Sequence, residues 1–174
     1  MELRPLAASE IGVVAGWLNR RENYEWVGCA NGLPIISPPT LKQMTQNEKH
    51  RLMVYGFNGA EEPWGLVALS NIDKIFQTAL LWYVLGNKEF ARYGHTSYAV
   101  YRLLRIGFFE LGLRAIQAWT VDINMPSIRV LQKNGFRYIG RQRACHVIDG
   151  TPMDRLLFDL VSDEYLQYSQ CNAA

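Results

Sequence analysis

Long apolar runs and blocks of like charge are both missing from this sequence, and each absence excludes a class of protein. No apolar run approaches the ~20 residues that a membrane-spanning helix needs. Lys and Arg together number 18 and Asp and Glu 16, so the net charge is only +2. Proteins that bind nucleic acid usually carry a basic stripe. We therefore expect neither a membrane nor a nucleic acid among the partners.

Cysteine is also scarce, and its spacing argues against metal binding. Cys29, Cys145 and Cys171 form no CxxC pair and no zinc-ligand spacing. We therefore expect reduced thiols in a cytoplasmic protein that holds no metal. The first residues, MELRPLAASEIGVV, lack the basic segment and apolar core of a secretory signal, which also favours a cytoplasmic protein.

What is present suffices for one domain with a sizeable core. The chain has 174 residues, of which 49% are hydrophobic, and no linker or repeat divides it, so we expect a single domain over residues 1–174. ELRPL predicts a strand and AASEIGVVAGWLN a helix with Ser9 as its cap. A second short helix is predicted in RRENYEWVG. A loop over residues 31–39 and a helix capped by Thr40 follow.

The middle and end of the chain predict a mixed α+β fold. RLMVYGF, WGLVALSNI and FQTALLWYVLG are strand-like runs with short turns between them, typical of an antiparallel meander, and Trp82 and Trp119 are expected in the core. A helix up to Gly112, a strand in AIQAWTVDI and a helix in MPSIRVLQKNGF come next. The turn dipeptide Asp149-Gly150 then predicts a closing hairpin.

The segment FARYGHTSYAV, residues 90–100, joins a predicted strand to a predicted helix. It lacks the three-glycine spacing of a dinucleotide-binding fingerprint and the Gly-Lys-Ser/Thr of a P-loop. Free N–H groups at a helix start bind phosphate readily, and Gly94 would let the backbone approach it closely. Arg92 adds a full charge. Taken alone, the segment is either an anion-binding turn or a plain crossover.

The second half of the chain resembles the GNAT superfamily of N-acetyltransferases. ARYGHTSYA after a strand is similar to that family's acetyl-CoA-binding turn, and LGLRAIQAWTVDINMPSIRVLQKNGFRYIG is similar to its next motif. ELRPLAASEI resembles an N-terminus found in the family. WLNRRENYEW, LSNID and GRQRACHVIDGTPMDRLLFDL are most similar to the branch that contains the ribosomal-protein-alanine acetyltransferases.

The resemblance implies a central, mostly antiparallel twisted sheet of about seven strands, with a splayed cofactor cleft and flanking helices. It also implies acetyl-CoA as co-substrate. The backbone of Tyr83, Val84 and Leu85 would pair with the pantetheine arm, and Lys133 would reach the 3′-phosphate or be a solvated lysine. The pyrophosphate would lie against a further set of residues: Arg92, Tyr93, Gly94, His95, Thr96 and Ser97.

Four residues are candidates for the chemistry, each with a structural alternative. Asn124 would contact pantetheine or a water, or cap a helix. Ser127 would touch the departing thiolate or cap locally. His146 is either a base at the acceptor cleft or a hydrogen-bonded structural histidine, and Tyr138 either an acid or a packing residue. Many family members have, in the helix of the second motif, a tyrosine that protonates the departing thiolate. This sequence has Leu131 at that position, so the usual acid is missing.

The early helical region would border the acceptor. Glu25 and Glu22 would attract a cationic amine or be solvated surface residues, and Trp26 would line the pocket. We expect a primary amine of a small molecule or a protein N-terminus, acetylated by direct attack in a ternary complex. A donor on acyl carrier protein, a longer acyl-CoA and a non-catalytic acyl-CoA-binding module are the alternatives, and the chain would be a monomer or a homodimer.

Overall fold

A computed structural model describes residues 1–27, 36–57, 59 and 62–171, with backbone only for 167–171. Six helices are described, together with two short 3₁₀ turns, Ala8–Glu10 and Lys88–Phe90. The helices are α1 (Ile11–Leu18), α2 (Arg21–Tyr24), α3 (Pro38–Gln46), α4 (His95–Arg105), α5 (Met125–Lys133) and α6 (Ser162–Cys171). A π-helical turn, Ile106–Glu110, extends α4.

Seven strands form one mixed sheet in the order β1-β2-β3-β4-β5-β7-β6. They are β1 (Glu2–Pro5), β2 (Arg51–Gly56), β3 (Gly65–Asp73), β4 (Thr78–Leu85), β5 (Ala115–Val121), β6 (Arg137–Ile148) and β7 (Thr151–Val161). Every neighbouring pair is antiparallel except β4 and β5, which run parallel. The predicted α+β class with about seven mostly antiparallel strands is therefore confirmed.

The sheet separates two apolar cores, one on each face. One core packs Leu103 and Leu104 of α4 and Leu131 of α5 against alternate residues of β3, β4, β5 and β7. The other packs Val14 and Leu18 of α1 against the opposite face of the sheet. Because side chains alternate across a strand, Tyr83 and Leu85 lie on the α4–α5 face, whereas Trp82 and Val84 lie on the α1 face.

Two helix-cap predictions and one loop boundary needed correction. Ser9 does not cap α1: the 3₁₀ turn starts first, and the Glu10 carboxylate accepts a hydrogen bond from the Ala7 N–H at 3.1 Å. Thr40 lies inside α3, which begins at Pro38 with Ser37 as its cap. Proline suits a first helical position, so residues 38 and 39 of the predicted loop are helical. Residues 31–35 of that loop and Cys29 lie outside the described residues, as does the Cys171 side chain.

The C-terminal helix α6 was not predicted. It packs Tyr165, which is fully buried, under α4. The antiparallel meander, the helix over 125–133 and the closing hairpin are all confirmed, with Asp149 and Gly150 both at positive φ in the hairpin turn. Trp82 and Trp119, expected in the core, are only partly buried.

Candidate active site

An opening lies between β4 and β5, at the centre of the sheet. Their ladder has only three rungs and ends at Leu80 and Gln117. Beyond it, β4 continues to Leu85 and pairs there with β3 alone. The β5-facing backbone edge of residues 81–85 therefore has no strand partner within the described residues. Tyr83, Val84 and Leu85, predicted to line a splayed edge, lie on this stretch. The Leu85 carbonyl accepts a hydrogen bond from Lys88 Nζ at 2.9 Å.

The turn between β4 and α4 is fixed by Trp64. Its carbonyl oxygen accepts from the N–H groups of Gly86 and Asn87 at 2.8 and 2.9 Å. Its indole stacks on Phe90, with 4.2 Å between the ring centroids, and touches His95 at 4.7 Å. His95 in turn stacks with Tyr93, which is 72% exposed. The turn is thus held by backbone hydrogen bonds and aromatic contacts within the chain.

Gly94 begins α4 in the left-handed conformation, with φ +80°. A Cβ at this position would meet nothing within 4 Å, so the glycine is needed for its backbone angle and leaves open space in front of the helix. Arg92 is also left-handed, with φ 70°. Helix geometry leaves the first N–H groups of α4 without an intrahelical acceptor, so they are suited to an anion.

The side chains of Thr96 and Ser97 bind other parts of the protein. The Thr96 hydroxyl lies 2.7 Å from that of Tyr55, a tyrosine whose pKa is raised by burial. The Ser97 hydroxyl accepts from Asn134 Nδ2 at 3.1 Å, which joins α4 to the end of α5. These contacts fix the first turn of α4, so its backbone N–H groups are the part of the turn that is suited to an anion.

Asn124 and Ser127 lie at the start of α5, directly after β5. Asn124 caps the helix, since its Oδ1 accepts from the Ser127 N–H at 3.2 Å. The Ser127 hydroxyl is 2.7 Å from the Tyr83 hydroxyl, which also donates to the Ser127 carbonyl at 3.0 Å. Asn124, Ser127 and Tyr83 are thus brought together beside the opening. Leu131, at 1% exposure, lies one turn further along α5 in the core.

A second cluster lies on the opposite, α1-facing side of the sheet. The Arg155 guanidinium sits 3.9 Å above the Trp119 ring, and its Nη2 is 3.2 Å from His146 Nδ1. His146 Nε2 lies 2.6 Å from the carbonyl oxygen of Glu25. A guanidinium only donates, so Nδ1 is the acceptor and Nε2–H is the donor. Both ring nitrogens of His146 are therefore occupied, as the structural alternative for this residue requires.

A bulge in β6 brings His146 to this cluster. The register with β7 shifts between Gln142 and His146, and Ala144 takes a positive φ of 48°. The Ala144 N–H is held by Asp154 Oδ1 at 2.8 Å. Such bulges commonly re-aim a side chain.

The carboxylates predicted to attract a cationic amine are partly neutralised. Glu25 forms an ion pair with Arg21 at 3.5 Å, and Arg21 also pairs with Asp149 of the hairpin turn. Glu22 is exposed. Trp26 is partly buried in the turn after α2, on the same side of the sheet as His146.

Two further candidates, Tyr138 and Lys133, are exposed. Tyr138 is 56% exposed on the outer strand β6 and packs its ring edge against Phe158. Lys133 is exposed in the last turn of α5.

Sequence reasoning missed three groups near the opening. Arg155 belongs to no recognisable motif. The Tyr83 hydroxyl was missed because its partner, Ser127, lies 44 residues further along the chain. Asp122, just past β5, has a buried Oδ1 with no hydrogen-bond partner among the described residues. Its position in the run VDIN, at the end of a predicted strand, is the sequence feature that could have indicated Asp122 as a site residue.

A seven-stranded mixed sheet that opens between two parallel central strands, with a helix starting at the opening, defines an acyl-CoA N-acyltransferase fold. The acetyltransferase (GNAT) domain model matches residues 1–137, and the chain belongs to this family. An uncharacterized N-acetyltransferase p20 of Bacillus licheniformis is 31% identical over 105 residues, which are 60% of this chain and 58% of that protein. The predicted membership of the GNAT superfamily is thereby confirmed.

Solved structures share the fold at low sequence identity. Spermidine N-acetyltransferase of Vibrio cholerae, in complex with CoA and spermine, matches with a TM-score of 0.83 and 19% identity, over 95% of this chain and 97% of that one. Ribosomal-protein-S5-alanine acetyltransferase of Vibrio fischeri matches with a TM-score of 0.78 and 22% identity, over 94% and 93%. The branch that the sequence resembles most is thus among the structures that share the fold, and these likenesses concern the fold alone.

In the described part of the chain, no helix has both the length and the apolar character to span a bilayer.

Proposed function

We propose that the protein transfers an acetyl group from acetyl-CoA to a primary amine. The observation that carries this proposal is the opening between β4 and β5, with the first N–H groups of α4 at its end. An extended backbone edge suits the amide-containing pantetheine arm, and a helix start suits a pyrophosphate. The family to which the chain belongs supports the same function.

The binding roles follow from where the residues lie. The backbone of Tyr83, Val84 and Leu85 would pair with pantetheine, although the Leu85 carbonyl already accepts from Lys88. The turn from Arg92 to Ser97 would bind the pyrophosphate through its N–H groups and the Arg92 charge. Lys133 would approach the 3′-phosphate from the last turn of α5. Preorganised backbone N–H groups near Val84 and Leu85 would stabilise the oxyanion.

The reaction needs a neutral amine and a protonated leaving sulfur. Nitrogen attacks the thioester carbonyl carbon, a C–N bond forms and the C–S bond breaks. The proton lost by the amine balances the proton gained by the thiolate. No cysteine of the described residues lies at the opening, so direct attack is preferred to an acyl-enzyme intermediate.

Tyr83 and Ser127 would supply the proton to sulfur, replacing the tyrosine that is absent at Leu131. Burial raises the pKa of Tyr83, so the phenol stays protonated at neutral pH and remains a donor. Its bond to the Ser127 hydroxyl gives a two-hydroxyl path from β4 to the first turn of α5. Asn124 would orient pantetheine or a water. Neither His146, with both nitrogens engaged, nor Tyr138, on the outer strand, has a place in this path.

One observation favours a second candidate, a non-catalytic acyl-CoA-binding module. Leu131 is buried in the core at the position where an acid is expected. Steady-state kinetics with acetyl-CoA and a panel of primary amines separate the two. We expect intersecting lines in double-reciprocal plots, as a ternary complex requires. Acetyl-CoA binding without turnover of any amine would favour the module, and a ping-pong pattern with a trapped acyl-cysteine would contradict direct attack.

A further inference from the structure

Arg155 is held rigidly on the acceptor side of the sheet. Its guanidinium lies 3.9 Å above the Trp119 ring, and both Nε and Nη2 approach His146 Nδ1, at 3.4 and 3.2 Å. Stacking on an aromatic face and a bond to an imidazole fix the plane of the guanidinium. His146 is itself anchored to the Glu25 carbonyl, so the cluster joins β5, β6 and β7 to the segment after α2.

This guanidinium has no counter-charge among the described residues. Two other arginines of the β6–β7 hairpin pair with carboxylates, Arg137 with Glu164 at 2.8 Å and Arg141 with Asp154 at 3.0 Å. No carboxylate of the described residues lies within 4.0 Å of Arg155, whose partners are a neutral imidazole and a π-face. A partly buried charge without a partner is costly.

The neighbouring carboxylates are not available to neutralise it. Glu25 and Asp149 both pair with Arg21. His146 accepts through Nδ1 and donates through Nε2, so it contributes no negative charge. A guanidinium carries five N–H donors, and His146 engages only the Nε and Nη2 edge. The Nη1 group and the second N–H of Nη2 remain for a carboxylate, whose two oxygens match that fork.

Arg155 lies beside the opening. It is the rung partner of Val121, at the end of β5, and Trp119 is two residues past the last β4–β5 rung at Gln117. Trp119 and Arg155 face the α1 side, where the acceptor would approach. We infer that Arg155 binds a carboxylate of the acceptor, which is therefore a primary amine that itself carries a carboxylate, and not a polycation. This inference rests on the proposed function.

Matched acceptors that differ in one charge test the inference. β-Alanine and β-alaninamide have the same length, and so do the peptide amides Ala-Asp-Ala and Ala-Asn-Ala. We expect kcat/KM to favour the charged member of at least one pair by about tenfold or more, since a charged group and a bidentate arginine are involved. In Arg155→Gln the ratio should fall close to one, chiefly through a higher KM for the charged member.

Two variants control the experiment. Arg141→Gln removes an arginine that is already paired on the same hairpin and should leave the ratio unchanged. Arg155→Lys keeps the charge without the fork and should retain part of the preference. A thermal shift with acetyl-CoA shows for each variant that the protein is folded.

The outcomes separate the inference from the proposed function. Equal use of both members of each pair, a preference for spermidine, or a preference that survives in Arg155→Gln would overturn the inference while acetyl transfer stands. Acetyl-CoA binding without transfer to any carboxylated amine would overturn it as well. Neither acetyl-CoA binding nor transfer to any amine would instead contradict the proposed function.

Discussion

The hydroxyl groups of Tyr83 and Ser127 lie 2.7 Å apart and join the free part of β4 to the first turn of α5. The two residues are 44 positions apart in sequence, and each follows the point where β4 and β5 separate. Tyr83 also donates to the Ser127 carbonyl at 3.0 Å. Two hydroxyl groups therefore lie together beside the opening. Leu131, one turn further along α5, supplies no polar group there.

Replacing Tyr83 by Phe should lower kcat strongly and leave the KM for acetyl-CoA little changed. The phenol would act only when sulfur departs, and general acid catalysis is commonly worth about 10²-fold. The matched comparison is Tyr138→Phe, which removes the other candidate hydroxyl from the outer strand. A loss of kcat in Tyr138→Phe with normal turnover in Tyr83→Phe would reverse the assignment.

Two substitutions of Asn124 should separate its cap from its proposed contact with pantetheine. Asn124→Ala removes the acceptor for the Ser127 N–H and should lower the free energy of unfolding by about 1 kcal/mol. Asn124→Ser keeps a capping oxygen and should recover most of that stability without recovering kcat. If Asn124→Ser has normal activity, the residue is only a cap. Denaturant unfolding and initial rates on the same samples provide the comparison.

Gly65→Ala should destabilise the fold at the end of the opening. A Cβ at residue 65 would lie 2.5 Å from the Val84 carbonyl oxygen and would also overlap the Tyr55 hydroxyl. Because a backbone atom cannot move aside cheaply, we expect a loss of about 3 kcal/mol. Gly12→Ala, with nothing within 4 Å and a helical position, should instead stabilise by about 0.5 kcal/mol. Similar urea midpoints for the two variants would contradict the close approach of β3 to β4.

Acid should weaken the fold partly through Glu10. The Arg4 guanidinium binds this carboxylate at 2.6 and 2.8 Å and lowers its pKa below the ordinary 4.5, against the effect of burial. A depressed folded-state pKa gives stability that is present above pH 4.5 and is lost as the pH falls through the folded-state value. Urea midpoints at several pH values should therefore decline less steeply below that pH in Glu10→Gln than in the wild type.

The control for Glu10 is Glu48→Gln, which removes an exposed ion pair with Lys74. Exposed pairs contribute little to stability, so this variant should follow the wild-type pH profile. If Glu10→Gln and the wild type show the same decline, the Arg4 contact does not set the acid sensitivity.

Local patterns predicted much of the fold. The apolar stripe of α4, Gly94 before it and the Asp149-Gly150 turn are all encoded within a few residues, and the structure confirms each of them. The helix α6 was missed because Tyr165, the fully buried residue among its described side chains, has its partner Tyr101 on α4, 64 residues earlier. Ser9 and Thr40 were plausible caps, but Glu10 and the Ser37-Pro38 pair provide better starts.

The site was harder to predict because its polar contacts join distant segments. His146 meets the carbonyl of Glu25 across 121 residues, which no local pattern indicates. Arg155 is one of several arginines in the closing hairpin. Its contacts with Trp119 and His146, which no local pattern indicates, distinguish it from the others. The turn proposed to bind the pyrophosphate, by contrast, lies in one continuous segment, so a local pattern suffices to find the left-handed Gly94 and the helix start behind it.

Calorimetric titration with acetyl-CoA tests the central claim most directly. The variants to compare are Gly94→Asp and Gly112→Asp. Both glycines have positive φ, and a Cβ at either position would meet no atom within 4 Å, so backbone strain and added charge are matched. Only residue 94 lies at the start of α4, where a negative charge repels a pyrophosphate. The account predicts binding to the wild type and to Gly112→Asp, with an affinity about tenfold or more weaker in Gly94→Asp. Equal affinity in the two variants, or no binding to the wild type, would contradict it.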